Sequence, residues 1–396
     1  MELIENIIRI IQIVMLIYFG GTTLYLFVFA LAGSLSRPGK KYTSDRNRHI
    51  TVVIPAFMED PVILDVIRSA LEQDYPSEHF NILLIADTFQ QDTLEKLKGF
   101  PIQLVEVKFE KSTKAKSLQL ALEHLLPETE VILILDADNL MEDRFLQKIN
   151  EAAESGAGVI QCHRIAKNTN TSFALLDAIS EEINNNIFRN GHRALGLSSA
   201  LIGSAMVFNV SLFRKYIPKL NAVGGFDKEL ELMLLHDNIR IEYLNNAFVL
   251  DEKVQNAHVF YKQRKRWISS QIYFFGRDFL KSVYHLFRHG NLDYFDKTLQ
   301  FSLPPRILLL GIVVLIGALN LIIPDMLFFY CWTGILSLIL ITLVISVPKR
   351  FFNLKTLQAL ISLPGIFLLM ILITLRIKGG NKTFIHTEHS YHEKNK

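Results

Sequence analysis

The chain has 396 residues, which is enough for one catalytic domain of ordinary size together with membrane segments. Half of its residues are hydrophobic and its mean hydropathy is +0.25, but the apolar residues concentrate at the two ends of the chain. A formal net charge of +3 is too small to indicate nucleic acid as a partner, and two distant cysteines, Cys162 and Cys331, exclude a disulfide framework and a cysteine-built zinc site.

The first predicted element is a transmembrane helix over residues 10–32, because this segment is almost purely apolar and about 20 such residues cross a bilayer. Its length and the acidic residues Glu2 and Glu5 before it favour an uncleaved anchor over a signal peptide, and we assign residues 1–36 to this anchor. Basic residues follow the helix, so the positive-inside rule predicts an external N-terminus and a cytoplasmic middle domain. These basic residues are Arg37, Lys40, Lys41, Arg46 and Arg48.

The middle of the chain, residues 49–250, alternates short apolar runs with helical patterns. Such alternation predicts an α/β domain whose mostly parallel sheet is covered by helices on both faces. Ligands of such sheets bind at the carboxyl ends of the strands, where Asp87 and the pair Asp136 and Asp138 are found. The predicted strands cover residues 51–55, 81–86, 103–107 and 131–135, and predicted helices cover residues 62–73 and begin at Ser117.

The pair Asp136 and Asp138 is a candidate metal site. The two residues are two apart in extended chain, so their carboxylates point to the same side and repel each other unless a cation lies between them. Oxygen ligands favour Mg²⁺ or Mn²⁺, which would bridge the carboxylates to a diphosphate. A solvated loop with an aspartate helix cap has the same pattern, and Asp87 fits either a nucleotide contact or a turn cap.

A basic and aromatic motif, Gln263, Arg264, Lys265, Arg266 and Trp267, begins an amphipathic stretch that runs to about residue 288. Arginine suits a diphosphate leaving group, and tryptophan suits a sugar ring or a membrane interface. The alternative is a basic amphipathic helix lying on an anionic membrane, and we expect residues 263–300 to combine both roles. The residues expected at the interface are Ile272, Phe274, Phe275, Phe279 and Leu280.

Three more apolar segments, at residues 307–323, 326–347 and 357–375, predict three C-terminal transmembrane helices within residues 301–376. We expect a hairpin at Pro324 and a kink of the last helix at Pro364. One helix plus three places the C-terminus outside, whereas the basic tail, residues 377–396, favours the cytoplasm. A re-entrant segment would remove this conflict.

Ordered motifs between residues 50 and 267 resemble the family-2 inverting glycosyltransferases, in the membrane-embedded branch of cellulose, chitin, hyaluronan and poly-N-acetylglucosamine synthases. The resemblance implies a GT-A nucleotide-sugar fold over residues 49–262, plus transmembrane helices at both ends. The motifs are Ile54 to Phe57, Ala86 with Asp87, Lys114 to Leu118, Asp136 with Asp138, Ala194 to Met206, Gly224 to Phe226, His236 with Asp237, and Gln263 to Trp267.

Site residues are also implied by the resemblance. Asp136 and Asp138 would hold the metal, with Asp138 as the direct ligand, and Asp237 would be the general base on the acceptor hydroxyl. This sequence departs from the family pattern at Leu235, where the family has threonine before an acidic pair, and at Gly203 to Ala205, where it has Gly-Thr-Gly. The donor-binding residues would be Pro55, Glu59, Asp87, Lys114, Asp136, Gln263, Arg264, Arg266 and Trp267.

The choice of Asp237 over its neighbour His236 depends on local structure. A helical pattern of Ile239, Ile241 and Leu244 follows the two residues and predicts that both lie at a helix N-terminus. Such a position favours an ionised carboxylate and a neutral imidazole, so both side chains could accept a proton. The family has aspartate at this place, which favours Asp237.

The implied activity is inverting transfer of a sugar, glucose or N-acetylglucosamine, from a nucleotide diphosphate donor, a UDP-sugar above all. The acceptor would be a glycan or a lipid at the inner (plasma) membrane, in polysaccharide or glycolipid synthesis, with membrane lipid and accessory or export subunits as partners. Two alternatives remain. One is a single addition to a lipid acceptor, which the few C-terminal spans favour, and the other is a non-catalytic partner of a polysaccharide export complex that retains the fold.

Overall fold

The computed structural model describes residues 2–36, 42–322 and 325–377. Its central element is an eight-stranded sheet with the strand order β3-β2-β1-β4-β7-β6-β8-β5. Strands β1 to β4 are parallel to one another, β7 is antiparallel to its neighbours β4 and β6, and β8 runs parallel to β6. The strands are β1 (Ile50–Phe57), β2 (Phe80–Asp87), β3 (Gln103–Val107), β4 (Val131–Ile134), β5 (Leu140–Met141), β6 (Val159–Ala166), β7 (Met206–Asn209) and β8 (Ile241–Asp251).

Helices cover both faces of the sheet and extend from both ends of the domain. Those of the middle domain are α2 (Ile63–Leu71), α3 (Gln91–Leu97), α4 (Lys114–Ala121), α5 (Phe145–Ala153), α6 (Ser172–Asn184), α7 (His192–Ala194), α8 (Val210–Tyr216) and α9 (Phe226–His236). The others are α1 (Glu2–Leu35), α10 (Ala257–His289), α11 (Leu292–Gln300), α12 (Arg306–Ile322), α13 (Met326–Ser346), α14 (Leu354–Leu360) and α15 (Leu363–Leu375). A π-helical segment (Asn185–Gly191) joins α6 to α7.

The four predicted strands are confirmed as β1 to β4, and their alternating side chains build two cores. Successive residues of a strand point to opposite faces. Val52 and Ile54 therefore pack in the core on one side of the sheet, whereas Val53 packs with Leu83 and Ile85 on the other side. This arrangement confirms the prediction of an α/β sheet covered on both faces.

The helix predicted after Asp237 is wrong, because this segment is strand β8. Helix α9 ends at His236, and Asn238 adopts a left-handed conformation with φ of 58°. Its amide donates to the carbonyl of Leu235, which closes the last turn in the manner of a helix C-cap. The apolar residues that follow, including Ile241, then pair with β6.

Two helices, α1 over Leu3–Leu35 and α13 over Met326–Ser346, are long and apolar enough to cross a bilayer. The other predicted spans correspond to α12, a shorter apolar helix of 17 residues, and to α14 and α15, which are bent by 46° relative to each other. The break lies before the expected kink, because Pro364 occupies the first turn of α15, where proline is tolerated. Residues 37–41, 323–324 and 378–396, with the basic residues Arg37, Lys40 and Lys41, the hairpin proline Pro324 and most of the basic tail, lie outside the described residues.

Helix α1, the expected anchor, packs closely on the π-helical segment and is thereby fixed to the middle domain. Glycine allows the close approach, since a Cβ added at Gly191 would lie 2.1 Å from the carbonyl oxygen of Phe29. Nearby, the Asn186 amide donates to the carbonyl of Ala30 at 3.0 Å, and the Tyr25 hydroxyl donates to Asp296 at 2.8 Å. The anchor therefore adds specific polar contacts to its apolar packing.

Helix α10 confirms the predicted amphipathic stretch but begins before it, at Ala257, where the Asn256 side chain caps the helix. The expected domain boundary at residues 262 and 263 consequently falls inside a continuous helix. Of the residues expected at the membrane interface, Leu280 is 79% exposed, whereas Phe274 is fully buried in the core beside α9 and is not available to lipid.

Candidate active site

A polar cleft of about 390 Å³ lies at the carboxyl ends of β1, β2 and β4, where the polar motifs were expected. Two residues directly after β1 and β2, Met58 and Thr88, have positive φ values of 55° and 60°, so the chain turns sharply at the rim. The cleft brings together all but two of the predicted site residues. Those lining it are Pro55, Glu59, Asp87, Lys114, Asp136, Asp138, Gln263, Arg266 and Trp267.

Asp87 ends β2 and is buried, with 1% of its surface exposed. Its Oδ1 accepts hydrogen bonds from the Thr88 hydroxyl at 2.9 Å and from the Phe109 amide at 3.3 Å. Its Oδ2 has no hydrogen-bond partner among the described residues. A buried acceptor without a partner is costly, so this oxygen is suited to receive a donor group from a ligand in the cleft.

Asp136, Asp138 and Asp251 form an acidic cluster in which one carboxylate oxygen of each residue lies within 4.8 Å of the others. The Asn139 amide fixes two of them, since it donates to Asp138 at 3.2 Å and to Asp251 at 3.1 Å. Three converging carboxylates form an oxygen site for a hard divalent cation. Asp251 was missed in the sequence, because it ends a strand that had been assigned to a helix.

Asp251 belongs to a buried ionic network that stands behind the cluster. It pairs with Arg164 at 3.2 Å and with Lys253 at 2.7 Å, and both cations also bind Glu181. Burial alone would raise the pKa of Asp251, but the attraction of Arg164 and Lys253 outweighs it and lowers that pKa below its ordinary value. Asp251 is thus held ionised by these partners, which leaves Asp136 and Asp138 as the direct candidates for a metal.

Lys114 is the first residue of α4 and reaches across the cleft. Its ammonium group donates to the carboxylate of Asp136 and, at 2.6 Å, to the carbonyl of Gly203. The helix N-terminus itself is capped by Thr113, whose hydroxyl accepts from the Lys116 amide. A lysine at the N-terminus of a helix provides both charge and helix dipole for an anion such as a diphosphate.

The basic and aromatic motif of α10 divides between two roles. Arg266 and Trp267 line the cleft, and burial lowers the pKa of Arg266, against the attraction of Asp227 and Asp136. Arg264 does not line the cleft. Its guanidinium group pairs with Asp177 and lies 4.3 Å from the centre of the Trp267 ring, so it positions the tryptophan.

We expect Arg266→Lys to reduce turnover by about tenfold or more, because lysine keeps the charge but loses the planar pair of donors that fits a diphosphate. Turnover is measured as nucleotide release by purified protein. The matched control is Arg288→Lys, which changes an exposed residue near the end of the same helix. Equal kinetics for both variants and the unmodified protein would contradict a phosphate role and leave only membrane contact for Arg266.

Asp237 does not lie in the cleft. It follows the C-terminus of α9, not the N-terminus of a helix, and lines a separate pocket of about 350 Å³ with Tyr216 and Arg277. The Tyr216 hydroxyl donates to Asp237 at 2.6 Å and, together with His236, lowers the pKa of Asp237 to about 2. Asp237 therefore lies apart from the cleft, and its hydrogen bonds favour the ionised carboxylate.

Asp227 is a further carboxylate of the cleft that the sequence interpretation overlooked. It lies in the first turn of α9 and lines the cleft with Asp136 and Arg266. The helix begins at Gly225, whose φ of 73° favours glycine, and a Cβ there would meet Ser270 at 3.0 Å. Asp227 could have been identified in the sequence, because it is an acidic residue directly after Gly224, Gly225 and Phe226 and at the start of a helical pattern.

Two curated proteins are similar to this chain in sequence. The chain is 26% identical over 267 residues to a β-monoglucosyldiacylglycerol synthase of Trichormus variabilis, covering 63% of this chain and 55% of that protein. It is 24% identical over 242 residues to the probable glycosyltransferase YdaM of Bacillus subtilis, covering 57% and 55%. The chain thus spans about half the length of both curated relatives.

A solved structure shares the fold. The mannosyltransferase PcManGT from Pyrobaculum calidifontis, in complex with GDP-mannose and Mn²⁺, superposes with a TM-score of 0.52 at 15% identity, covering 84% of this chain and 97% of that chain. The sequence model of glycosyltransferase-like family 2 matches residues 47–270, which include every strand of the sheet and the start of α10. The chain therefore belongs to glycosyltransferase-like family 2.

Proposed function

We propose that the cleft transfers a sugar from a nucleotide diphosphate donor to an acceptor held at the membrane. The observation that carries this proposal is the gathering of Asp87, Lys114, Asp138 and Arg266 in one cleft at the carboxyl ends of the strands. In this order, the residues provide a hydrogen-bond acceptor for a base, a cation at a helix N-terminus, a metal ligand and a second cation. Together they match the base and the diphosphate of a nucleotide bound with a divalent metal.

The donor lies with its base toward Asp87 and its diphosphate between Lys114 and Arg266. The unpartnered Oδ2 of Asp87 supports a base that offers an N–H donor, as uracil does, and we propose a UDP-sugar. The name of the Trichormus relative supports glucose as the sugar, and N-acetylglucosamine remains the second choice.

A divalent metal fits the acidic cluster, since the cleft lining carries more carboxylates than cations and three of the carboxylates converge. Asp138 and Asp136 would hold the ion, and we propose Mg²⁺ or Mn²⁺ because both favour oxygen ligands. Bound there, the metal supplies positive charge that stabilises the diphosphate as a leaving group. Asn139 supports both residues, since its side-chain amide donates to Asp138 and its side-chain oxygen accepts from the backbone amide of Asp136 at 3.3 Å.

The chemical step is a single displacement with Asp227 as the general base. The acceptor hydroxyl gives its proton to the Asp227 carboxylate while its oxygen forms a bond to the anomeric carbon. The bond from that carbon to the diphosphate breaks, the diphosphate leaves with the electron pair, and the anomeric centre inverts. Lys114 and Arg266 balance the charge that develops on the leaving oxygen.

We also propose that this cleft lies at the cytoplasmic face of the inner (plasma) membrane. Helices α1 and α13 are apolar enough to cross, and the bend between α14 and α15 supports a re-entrant hairpin instead of a further full span. With α12 as a third full span, as the sequence predicts, a re-entrant hairpin of α14 and α15 leaves Arg376 on the cytoplasmic side, which reconciles the basic tail with the number of spans. The experiment that tests the proposed function is release of nucleotide diphosphate from a panel of nucleotide sugars by purified protein.

A further inference from the structure

A large apolar cavity, of about 1020 Å³, lies between the catalytic domain and the membrane helices. Its walls come from α6 and α10 on one side and from α12, α13, α14 and α15 on the other. Its lining includes Leu176, Phe260, Leu310, Leu343 and Met370. Of the residues implied for donor binding, its lining contains Arg264 and Trp267 alone, so donor binding does not account for a space of this size.

The cavity opens toward lipid. Several of its lining side chains are also exposed on the outer surface of apolar helices, with Val344 56% exposed, Leu357 63% and Leu360 42%. These residues belong to α13, which can cross a bilayer, and to α14, which forms part of the bent apolar pair. An apolar molecule could therefore enter the cavity from the bilayer without passing through water.

The cavity also borders the catalytic cleft. Arg189, Lys228, Trp267 and Lys297 line both spaces, so the inner end of the cavity meets the place where the donor sugar is expected. A long molecule in the cavity would hold its head against the cleft. This shared wall distinguishes the cavity from a passive gap between apolar helices.

The polar end of the cavity is cationic. Arg306 donates to Asn184 Oδ1 at 2.6 Å and to the Ser180 carbonyl at 3.0 Å, but it forms no ion pair with a carboxylate in the described part of the chain. Arg189 is 2% exposed, pairs with Glu181 at 3.7 Å and donates to Asn185 at 2.6 Å, but its Nε has no hydrogen-bond partner among the described residues. The guanidinium group of Arg306 beside an apolar cavity is costly unless an anion accompanies it.

We propose that this cavity binds the acceptor as a lipid whose chains fill the apolar walls and whose head carries a phosphate and a free hydroxyl. The phosphate pairs with Arg306 and Arg189, since planar guanidinium groups bind phosphate with two parallel hydrogen bonds. The hydroxyl beyond it reaches the cleft beside Asp227. This inference rests on the proposed function for the fate of the hydroxyl, but the lipid site can be tested without turnover.

The test uses Trp267 as a contact reporter. The chain has two tryptophans, and Trp332→Phe leaves Trp267 as the single fluorescent indole. The protein with this change, in detergent micelles, is titrated with phosphatidylglycerol or with diacylglycerol, each brominated on its chains so that contact quenches the indole. We expect saturable quenching by phosphatidylglycerol at concentrations about tenfold lower than by diacylglycerol, because one charge-assisted pairing is worth about that factor.

Matched variants separate the head from the chains. Arg306→Gln should raise the half-saturating concentration of phosphatidylglycerol by about tenfold and leave diacylglycerol unchanged. The control is Lys355→Gln, an exposed cation on α14 outside the cavity lining, which should change neither lipid. Leu310→Phe combined with Leu343→Phe fills the apolar part and should weaken both lipids, which keeps the test valid if Arg306→Gln does not fold.

Each outcome of these titrations supports or overturns a stated part of the proposal. Equal quenching by both lipids, unaffected by Arg306→Gln, would overturn the phosphate head and indicate a neutral lipid. Absence of saturable quenching by either lipid would overturn the lipid site. Displacement of the lipid by inorganic phosphate alone would overturn the contribution of the chains. Lipid quenching without nucleotide release from any sugar donor would contradict the proposed function but support the lipid site. Nucleotide release without lipid quenching would support the proposed function but contradict the lipid site.

Discussion

Asp227→Asn is expected to reduce turnover by about 10²–10⁴-fold while binding of the donor nucleotide stays unchanged. The asparagine keeps the size and hydrogen bonding of the side chain but cannot accept the proton of the acceptor hydroxyl. The side chain lies in the first turn of α9, so no change of fold is expected. Turnover is measured as nucleotide release with acceptor present, and donor binding by calorimetry.

The matched control is Asp237→Asn. This residue lies in a separate pocket, and its hydrogen bond from Tyr216 holds its pKa near 2, so the variant should keep most of its activity. His236, which is its neighbour and partner at 3.0 Å, should also tolerate replacement by glutamine. The reverse pattern, with Asp237→Asn inactive and Asp227→Asn active, would return the base to the position that the family resemblance implied.

Asp138→Asn is expected to lower turnover by on the order of 10³-fold, because a metal ion contributes several kcal/mol to charge stabilisation in the transition state. Excess chelator should abolish turnover of the unmodified protein, and Mg²⁺ or Mn²⁺ should restore it. In the variant, the metal concentration needed for half-maximal activity should rise. That shift separates loss of a ligand from a general loss of structure.

The control for this metal prediction is Asp143→Asn, which removes an exposed carboxylate shortly after the same loop and outside the acidic cluster. It should leave both turnover and metal dependence unchanged. Full activity of the unmodified protein in excess chelator would remove the metal assignment, and stabilisation of the diphosphate would then be assigned to cations of the cleft such as Lys114 and Arg266.

The first half of the sheet could be predicted from sequence because its strands are short, continuous and buried. Residues 51–55 and 81–86 read as strands by composition alone, and they occur as β1 and β2 with slightly wider bounds. Asp87 and Asp138 could then be predicted as ligand-binding residues, because ligands of such sheets bind at the carboxyl ends of the parallel strands. Strand β8 was not predicted, because Ile241 and Leu244 also fit a helical period. In addition, the left-handed turn at Asn238 has no strong signal in the sequence.

The position of Asp237 relative to a helix was predicted wrongly for a related reason. Because the end of α9 was not recognised in the sequence, we expected His236 and Asp237 to precede a helix, whereas His236 ends α9 and Asp237 follows it. Asp227, which lies at the N-terminus of α9, was therefore not selected as a candidate base. The apolar cavity was beyond the reach of sequence altogether, because it depends on how α12 to α15 pack against α6 and α10, and hydropathy reports only that such helices are apolar.

The most direct test of the central claim is to incubate the detergent-purified protein with a panel of nucleotide sugars, a divalent ion and phosphatidylglycerol vesicles. Release of nucleotide diphosphate and the mass of the lipid product are measured together. We predict release of UDP from one UDP-sugar, dependent on the metal, with the lipid heavier by one or more sugar residues. Absence of nucleotide release from every donor, by protein that remains folded, would contradict the account and favour a non-catalytic partner of an export complex.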